Sequence, residues 1–378
     1  MRASARGFES LHLRFNTRSR GGYRVKKYIS VVGEVHQDLY YETDFLEIIS
    51  KSVASRILEL LRYNPDDINR AILEKFIKKG ISEIPKKVES YAYLKRGGNG
   101  NNTAEFISNL DIPTRLIAVL GTESEWMLSE LNALGIDTGL IYKVNEKTPV
   151  STIIKSNFTT KILLAPNMKK KMQFVEENLN MKILDDTKIL YVTPIAEKNS
   201  KFIRNSNMND VITVFNVEIQ AIHEFGDLKA LINNRKDLMF INIDNARALL
   251  HENLEIEKLD EKFRSFAYIR IYTAGKDGSF VFTDNFNFHH RVVNVEKARD
   301  LTGAGDCFAA GFLVKAYFLF NDREHLINLN EMKEANKLKE ILIECIKYAT
   351  YTSAYKISRQ EAPSKEQLSQ FIQLFERG

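Results

Sequence analysis

The chain has 378 residues, 44% of them hydrophobic and 27% charged, with a mean hydropathy of −0.27 and a net charge of +5. That length suits one large α/β domain or two smaller ones, and no run of about 18 apolar residues marks a membrane span. The positive charge is concentrated in residues 1–27, which hold eight basic side chains and one acid, Glu9; the remainder is slightly acidic, so no nucleic acid or other polyanion is expected as a partner of the globular part.

From the N-terminus, residues 1–26 form a basic arm with no apolar signal core and no clear amphipathic repeat. The arm is expected to be disordered, and import into an organelle through it is left open. Residues 27–33 (KYISVVG) read as a buried strand ending in glycine at a site. Residues 45–62 put Leu46, Ile49, Val53, Ile57, Leu60 and Leu61 on one helical face. A second helix is expected over 66–79, with Asn64 and Pro65 before it, Asp66 or Asp67 as cap, a stripe of Ile68, Ile72 and Phe76, and Gly80 as its end. Both stripes need a partner, either the rest of the chain or a second copy.

After Gly98, strand candidates at 115–120, 150–156, 188–193, 211–215, 238–243, 267–273 and 279–283 alternate with helical stretches such as 124–134 and 219–233. Strands separated by helices imply parallel βαβ crossovers and a sheet covered on both faces. From Gly305 onward the chain is mostly helical, and residues 27–378 read as one composite domain. Cys307 and Cys345 are the two cysteines and form no paired motif, which gives no support to a disulfide framework or structural zinc and fits a reducing, cytoplasmic setting.

Residues 300–312, DLTGAGDCFAAGF, carry the strongest chemical signal. They follow the strand-like VVNV (292–295) and open a helix. Gly303, Ala304 and Gly305 are small enough for a ligand to approach the backbone, and N–H groups in the first turn of a helix attract anions. Asp306 stands at the same helix start. A carboxylate beside an anion cradle repels phosphate, yet it is what phosphoryl transfer needs: a base for the attacking hydroxyl next to donors that stabilise the transferred group.

This string resembles the C-terminal signature of the PfkB/ribokinase family of carbohydrate and nucleoside kinases. GGNGNNTAEFISNL (97–110) is similar to the family's N-terminal Gly-Gly block, and VVGEVHQDL (31–39), TESEWMLSELNALGIDT (122–138) and YTAGKDGSF (272–280) follow in family order. The resemblance implies a three-layer α/β/α ribokinase-like fold with a mostly parallel central sheet and a small lid, built from segments about 38–96 and 140–165. It implies ATP with Mg²⁺ as cofactors, a sugar or nucleoside as the small-molecule substrate, and leaves a monovalent cation open. Asp38, Gly97, Gly98 and Asn102 would line the acceptor site; Asn242, Thr273, Gly275 and Gly278 would border the nucleotide; Asp306 would be the base. No membrane partner is expected, and a homodimer through the lid is a possible assembly.

Three departures stand out. Asp38 and Gly97 are separated by more chain than the family commonly shows. The family's Asn-x-x-Glu motif reads Asn242-Ile243-Asp244-Asn245, so its metal-linked acid is missing, leaving Asn245 or Asp244 as the metal-side residue. The block AYKISRQEAPS (354–364) lacks its usual glycine. These departures favour a rival reading, a catalytically weak relative acting as a ligand-binding or scaffold protein, which the intact Asp306 opposes.

Overall fold

The computed structural model describes residues 27–60, 70–156, 160–164, 184–205, 210–222, 224–295, 301–329, 331 and 334–376; the basic arm, the expected cap of the second helix and Asp300 lie outside them. Two sheets organise the chain. The larger has the order β13-β12-β11-β10-β9-β8-β1-β4-β5. It comprises β1 (Tyr28–Gly33), β4 (Thr114–Leu120), β5 (Asp137–Lys143), β8 (Thr187–Thr193), β9 (Ile212–Val217), β10 (Lys236–Asn242), β11 (Ala267–Thr273), β12 (Ser279–Phe282) and β13 (Asn287–His290). All pairings from β5 to β11 are parallel, and β12 and β13 add an antiparallel edge.

Its strands are apolar on both faces because both are covered. In β10, Leu238 and Phe240 enter one core while Met239 and Ile241 enter the other. The first core is closed by α3 (Asn99–Asn109), α4 (Glu125–Ala133), α9 (Ala304–Leu319), α10 (Arg323–Leu329), α11 (Ala335–Arg359) and α12 (Lys365–Glu376). The second is closed by α5 (Ser200–Asn205), α6 (Phe225–Leu231), α7 (Ile243–Leu250) and α8 (Ile256–Phe263). This is the expected three-layer α/β/α, mostly parallel arrangement.

The smaller sheet has the order β3-β2-β6-β7, from β2 (His36–Glu42), β3 (Tyr91–Gly97), β6 (Val150–Lys155) and β7 (Thr160–Leu163). The return segment expected at 140–165 starts later than that: residues 137–143 pair with β4 at the edge of the large sheet, and the return strands are β6 and β7. Residues 292–295, expected as a strand, have no strand pairing; the strand that precedes the DLTGAGDCFAAGF segment is β13.

β2 and β3 pair antiparallel from His36↔Gly97 out to Glu42↔Tyr91. Everything between them, residues 43–90, leaves and re-enters at the end of that ladder, and it contains α1 (Phe45–Leu60) and α2 (Arg70–Ser82). The two helices pack on each other. Gly80 does not end α2 as expected. It is buried inside that helix, where a Cβ would stand 3.0 Å from the Cα of Val53, so its absence lets the helices meet; Ser52 Oγ donates to Gly80 O at 2.7 Å. The stripe on α1 is partly satisfied: Leu60 is buried, whereas Ile57 is exposed, as is Leu58 beside the stripe.

Candidate active site

In an open parallel sheet, ligands collect beyond the carboxyl ends of the strands. Here those ends and the start of α9 enclose a cavity of about 140 Å³, lined by Asn216 and Val217 at the end of β9 and Glu218 just after it, Asn242 at the end of β10, Asn245 in α7, Thr273 at the end of β11, and Gly305 and Asp306 of α9. Gly303 is the N-cap of α9 in the left-handed region at φ +74°. The N–H of Ala304 is donated to Leu301 O at 3.1 Å and closes a turn, so of the donors expected at 303–305 that one is engaged within the loop, while Gly305 lies in the first turn of α9. The space over Gly305 is open, since a Cβ there would meet nothing within 4 Å.

Asp306 is buried, and Asn102 Nδ2 donates to its Oδ2 at 2.9 Å across 204 positions of sequence. A hydrogen-bonded chain stands behind that contact. Arg96, on β3 at one edge of the small sheet, donates to Asn101 Oδ1 at 2.6 Å, and Asn101 Nδ2 donates to Asn102 Oδ1 at 3.2 Å. Burial first, then the negative charge of Glu218, push the Asp306 carboxyl up to about 8, opposed by the Asn102 amide and the ammonium of Lys356. Lys356, on α11, brings its Cε to 3.7 Å from the place of a Cβ on Gly303, so a cation stands at the mouth of the cradle.

The raised carboxyl carries a stability signature. The Asp306 carboxyl has its ordinary value of 3.8 in the unfolded chain, and burial in the fold pushes it up to about 8. Between these values the folded state keeps a proton that the unfolded state has lost. The contribution to stability is therefore complete below the lower value and gone above the higher one. Asp306→Asn, which keeps no charge at any pH, should melt above the wild type at pH 9, with the gap closing toward pH 4. Thermal unfolding across that range checks this; a gap independent of pH would contradict it.

Asp38 sits in β2 directly beside β3, with His36 Nε2 3.1 Å from its Oδ1. Gly97 serves this carboxylate: a Cβ at position 97 would lie 2.1 Å from Asp38 Oδ2. Gly98, the N-cap of α3, adopts φ +98° where the small sheet hands the chain to that helix. Two buried polar atoms close by, His36 Nδ1 and Ser151 Oγ, the latter opposite Asp38 in the β2–β6 register, have no hydrogen-bond partner among the described residues. Of the residues singled out in the sequence, Asp306, Gly305, Asn242, Asn245 and Thr273 line one cavity, with Asn102 hydrogen-bonded to Asp306. Gly275 and Gly278 belong to the hairpin turn after Thr273 and do not line it. Asp244 is exposed, its N–H donated to the Asn242 side chain at 2.8 Å, and it does not line the cavity either.

Glu218, Asn99 and Lys356 were missed. A signal existed for Glu218, which follows the strand-like 211–215 at its carboxyl end. The cavity's donor set is oxygen-rich and contains no Cys or His, and among the described residues no group of three or more His, Cys, Asp or Glu could hold a metal alone. That set fits Mg²⁺, which binds through one or two carboxylates and takes its other ligands from phosphate and water.

A model of the pfkB family carbohydrate kinases matches residues 78–366. A nucleoside kinase of Methanocaldococcus jannaschii is 26% identical over 260 residues, covering 65% of this chain and 80% of that protein. Among solved structures, a fructokinase with bound ATP from Xylella fastidiosa aligns with a TM-score of 0.68 at 15% identity, over 93% of this chain and 99% of its own. A ribokinase II structure from E. coli in complex with ATP and Mg²⁺ aligns with a TM-score of 0.63 at 14% identity, over 92% and 99%.

Proposed function

Since the chain belongs to the pfkB family of carbohydrate kinases, we propose that it moves the γ-phosphoryl group of ATP to a hydroxyl of a sugar, sugar derivative or nucleoside. The observation that carries this reading is Asp306: a buried carboxyl held by Asn102 at the first turn of α9, facing the cavity where strand ends and helix N–H groups converge. Asp306 takes the proton of the acceptor hydroxyl. A base poised near neutrality performs that task best, and burial has moved this carboxyl into that range.

The N–H groups of Gly305 and Asp306 and the ammonium of Lys356 face the phosphoryl group and offset charge that grows on its oxygens. Thr273, Asn242 and Asn245 border the nucleotide phosphates, with Gly275 and Gly278 in the loop beyond. Mg²⁺, bound with the nucleotide, supplies charge neutralisation of the phosphates. On the acceptor side, Asp38 accepts from substrate hydroxyls, with Gly97 and Gly98 giving room and Asn102 placed between acceptor and base. The partnerless His36 Nδ1 and Ser151 Oγ favour a hydroxyl-rich acceptor, because buried polar atoms are costly until they are paired. The small sheet acts as the lid that excludes water from this site.

The test is an ADP-release assay against a panel of free sugars, sugar derivatives and nucleosides with ATP and Mg²⁺. At least one class should be phosphorylated, with ADP and phosphorylated product in equal amounts. A protein that binds one of these compounds tightly but releases no ADP with any would instead be the ligand-binding relative.

A further inference from the structure

The acid missing at position 245 has a substitute in the fold, and it is not the neighbouring Asp244. We infer that Glu218 supplies the carboxylate that holds the divalent cation accompanying the nucleotide; this rests on the kinase reading above. β9 and β10 run parallel with Val217 opposite Ile241, so the next residues, Glu218 and Asn242, leave the sheet side by side. Asn242 begins the segment that carries Asn245, and all three line the same cavity as Gly305 and Asp306. The carboxylate has therefore been moved one strand over while still facing the space it must serve.

Its direction is fixed. Asn99 Nδ2, from the first turn of α3, lies 2.5 Å from Glu218 Oε1, and Asn216 Nδ2 donates to the same oxygen at 3.0 Å. Asn99 and Asn216 contact it through neutral amides, which orient the side chain. Asp244 has the opposite situation, exposed to solvent with its backbone tied to Asn242. A hard cation that keeps several waters needs one or two carboxylates within reach of phosphate oxygens, and on this cavity wall Glu218 offers one in place of the amide at Asn245.

Mn²⁺, which reports its own binding by electron paramagnetic resonance, is the probe, titrated with a non-hydrolysable ATP analogue present. Glu218→Gln should weaken Mn²⁺ binding by roughly tenfold or more while the analogue still binds without metal, and Asp244→Asn should leave it unchanged. Adding Asn245→Glu to Glu218→Gln should bring Mn²⁺ affinity back to within about threefold of wild type, a rescue that charge-assisted contact restores and a purely structural role of Glu218 would not give. If Glu218→Gln does not fold, Glu218→Asp, which draws the carboxylate back by one methylene, should weaken Mn²⁺ by a smaller factor. Unchanged Mn²⁺ binding in whichever of these two variants folds overturns the assignment, as does a loss caused by Asp244→Asn. A wild-type protein that binds no analogue overturns the kinase reading itself, which the metal-free titration separates from failure of Glu218.

Discussion

Asp306→Asn is expected to lower turnover by roughly a hundredfold or more, the usual loss with a general base, while ATP binding persists. The substitution preserves shape and leaves an amide facing Asn102, whose Nδ2 now points at either an oxygen or a nitrogen. The cradle at Gly305 and the Lys356 cation are untouched, so the nucleotide side keeps its contacts. The loss should therefore fall on kcat, with the Kd for ATP little changed. Because burial pushes the wild-type carboxyl up to about 8, the activity of the wild type should rise with pH through the neutral range as the carboxyl loses its proton. The residual activity of Asp306→Asn should lack that rise. Turnover within a fewfold of wild type, or a residual activity with the same pH profile, would remove Asp306 from the chemistry.

Gly98→Ala and Gly305→Ala should fail in opposite ways, although each adds one methyl group. Gly98 holds φ +98°, and a Cβ there would stand 2.4 Å from the carbonyl oxygen of Glu34. Backbone cannot swing aside as a side chain can, so strain and overpacking together should cost about 2–5 kcal/mol. Relief requires α3 to shift, and α3 carries Asn102, so stability and activity should fall together. Gly305 has open space around it and lies in a helix. Alanine there should stabilise the fold by about 0.5–1 kcal/mol while placing a methyl group at the phosphate cradle and reducing activity. Urea denaturation beside steady-state kinetics distinguishes the two. A Gly98→Ala protein as stable as wild type, or a Gly305→Ala protein with full activity, would contradict this account of α3 or of the cradle.

The large sheet was readable because its strands are buried on both faces. Stretches such as RLIAVL and LMFINI are continuous apolar runs, and the intervening helices show a different period. The small sheet was not: β3, YAYLKRG, is largely exposed and mixes Tyr and Leu with Lys and Arg, so neither a run nor a clean alternation appears. The DLTGAGDCFAAGF block was legible for a local reason, since Gly303, Gly305 and Asp306 stand together at one helix start. Lid and cavity contacts are not local. Asn102 reaches Asp306 over 204 positions and Asn99 reaches Glu218 over 119, and nothing in either segment names its partner. Gly97 shows the same limit: the sequence suggested a glycine making room for a ligand, and the fold shows it also making room for Asp38.

The helices α1 and α2 hang from the far end of a completed ladder, since β2 and β3 are already joined in register up to Glu42 and Tyr91. A tight turn could close that ladder, so residues 43–90 are a graft on a hairpin tip. The price of lengthening such a graft is the entropy of a loop whose ends are already held together, and it grows only with the logarithm of length. Asp38 and Gly97 lie toward the other end of the same ladder, and their pairing does not depend on what is carried at the tip. The branch can therefore be lengthened or pruned without disturbing the strand pairing around Asp38 and Gly97.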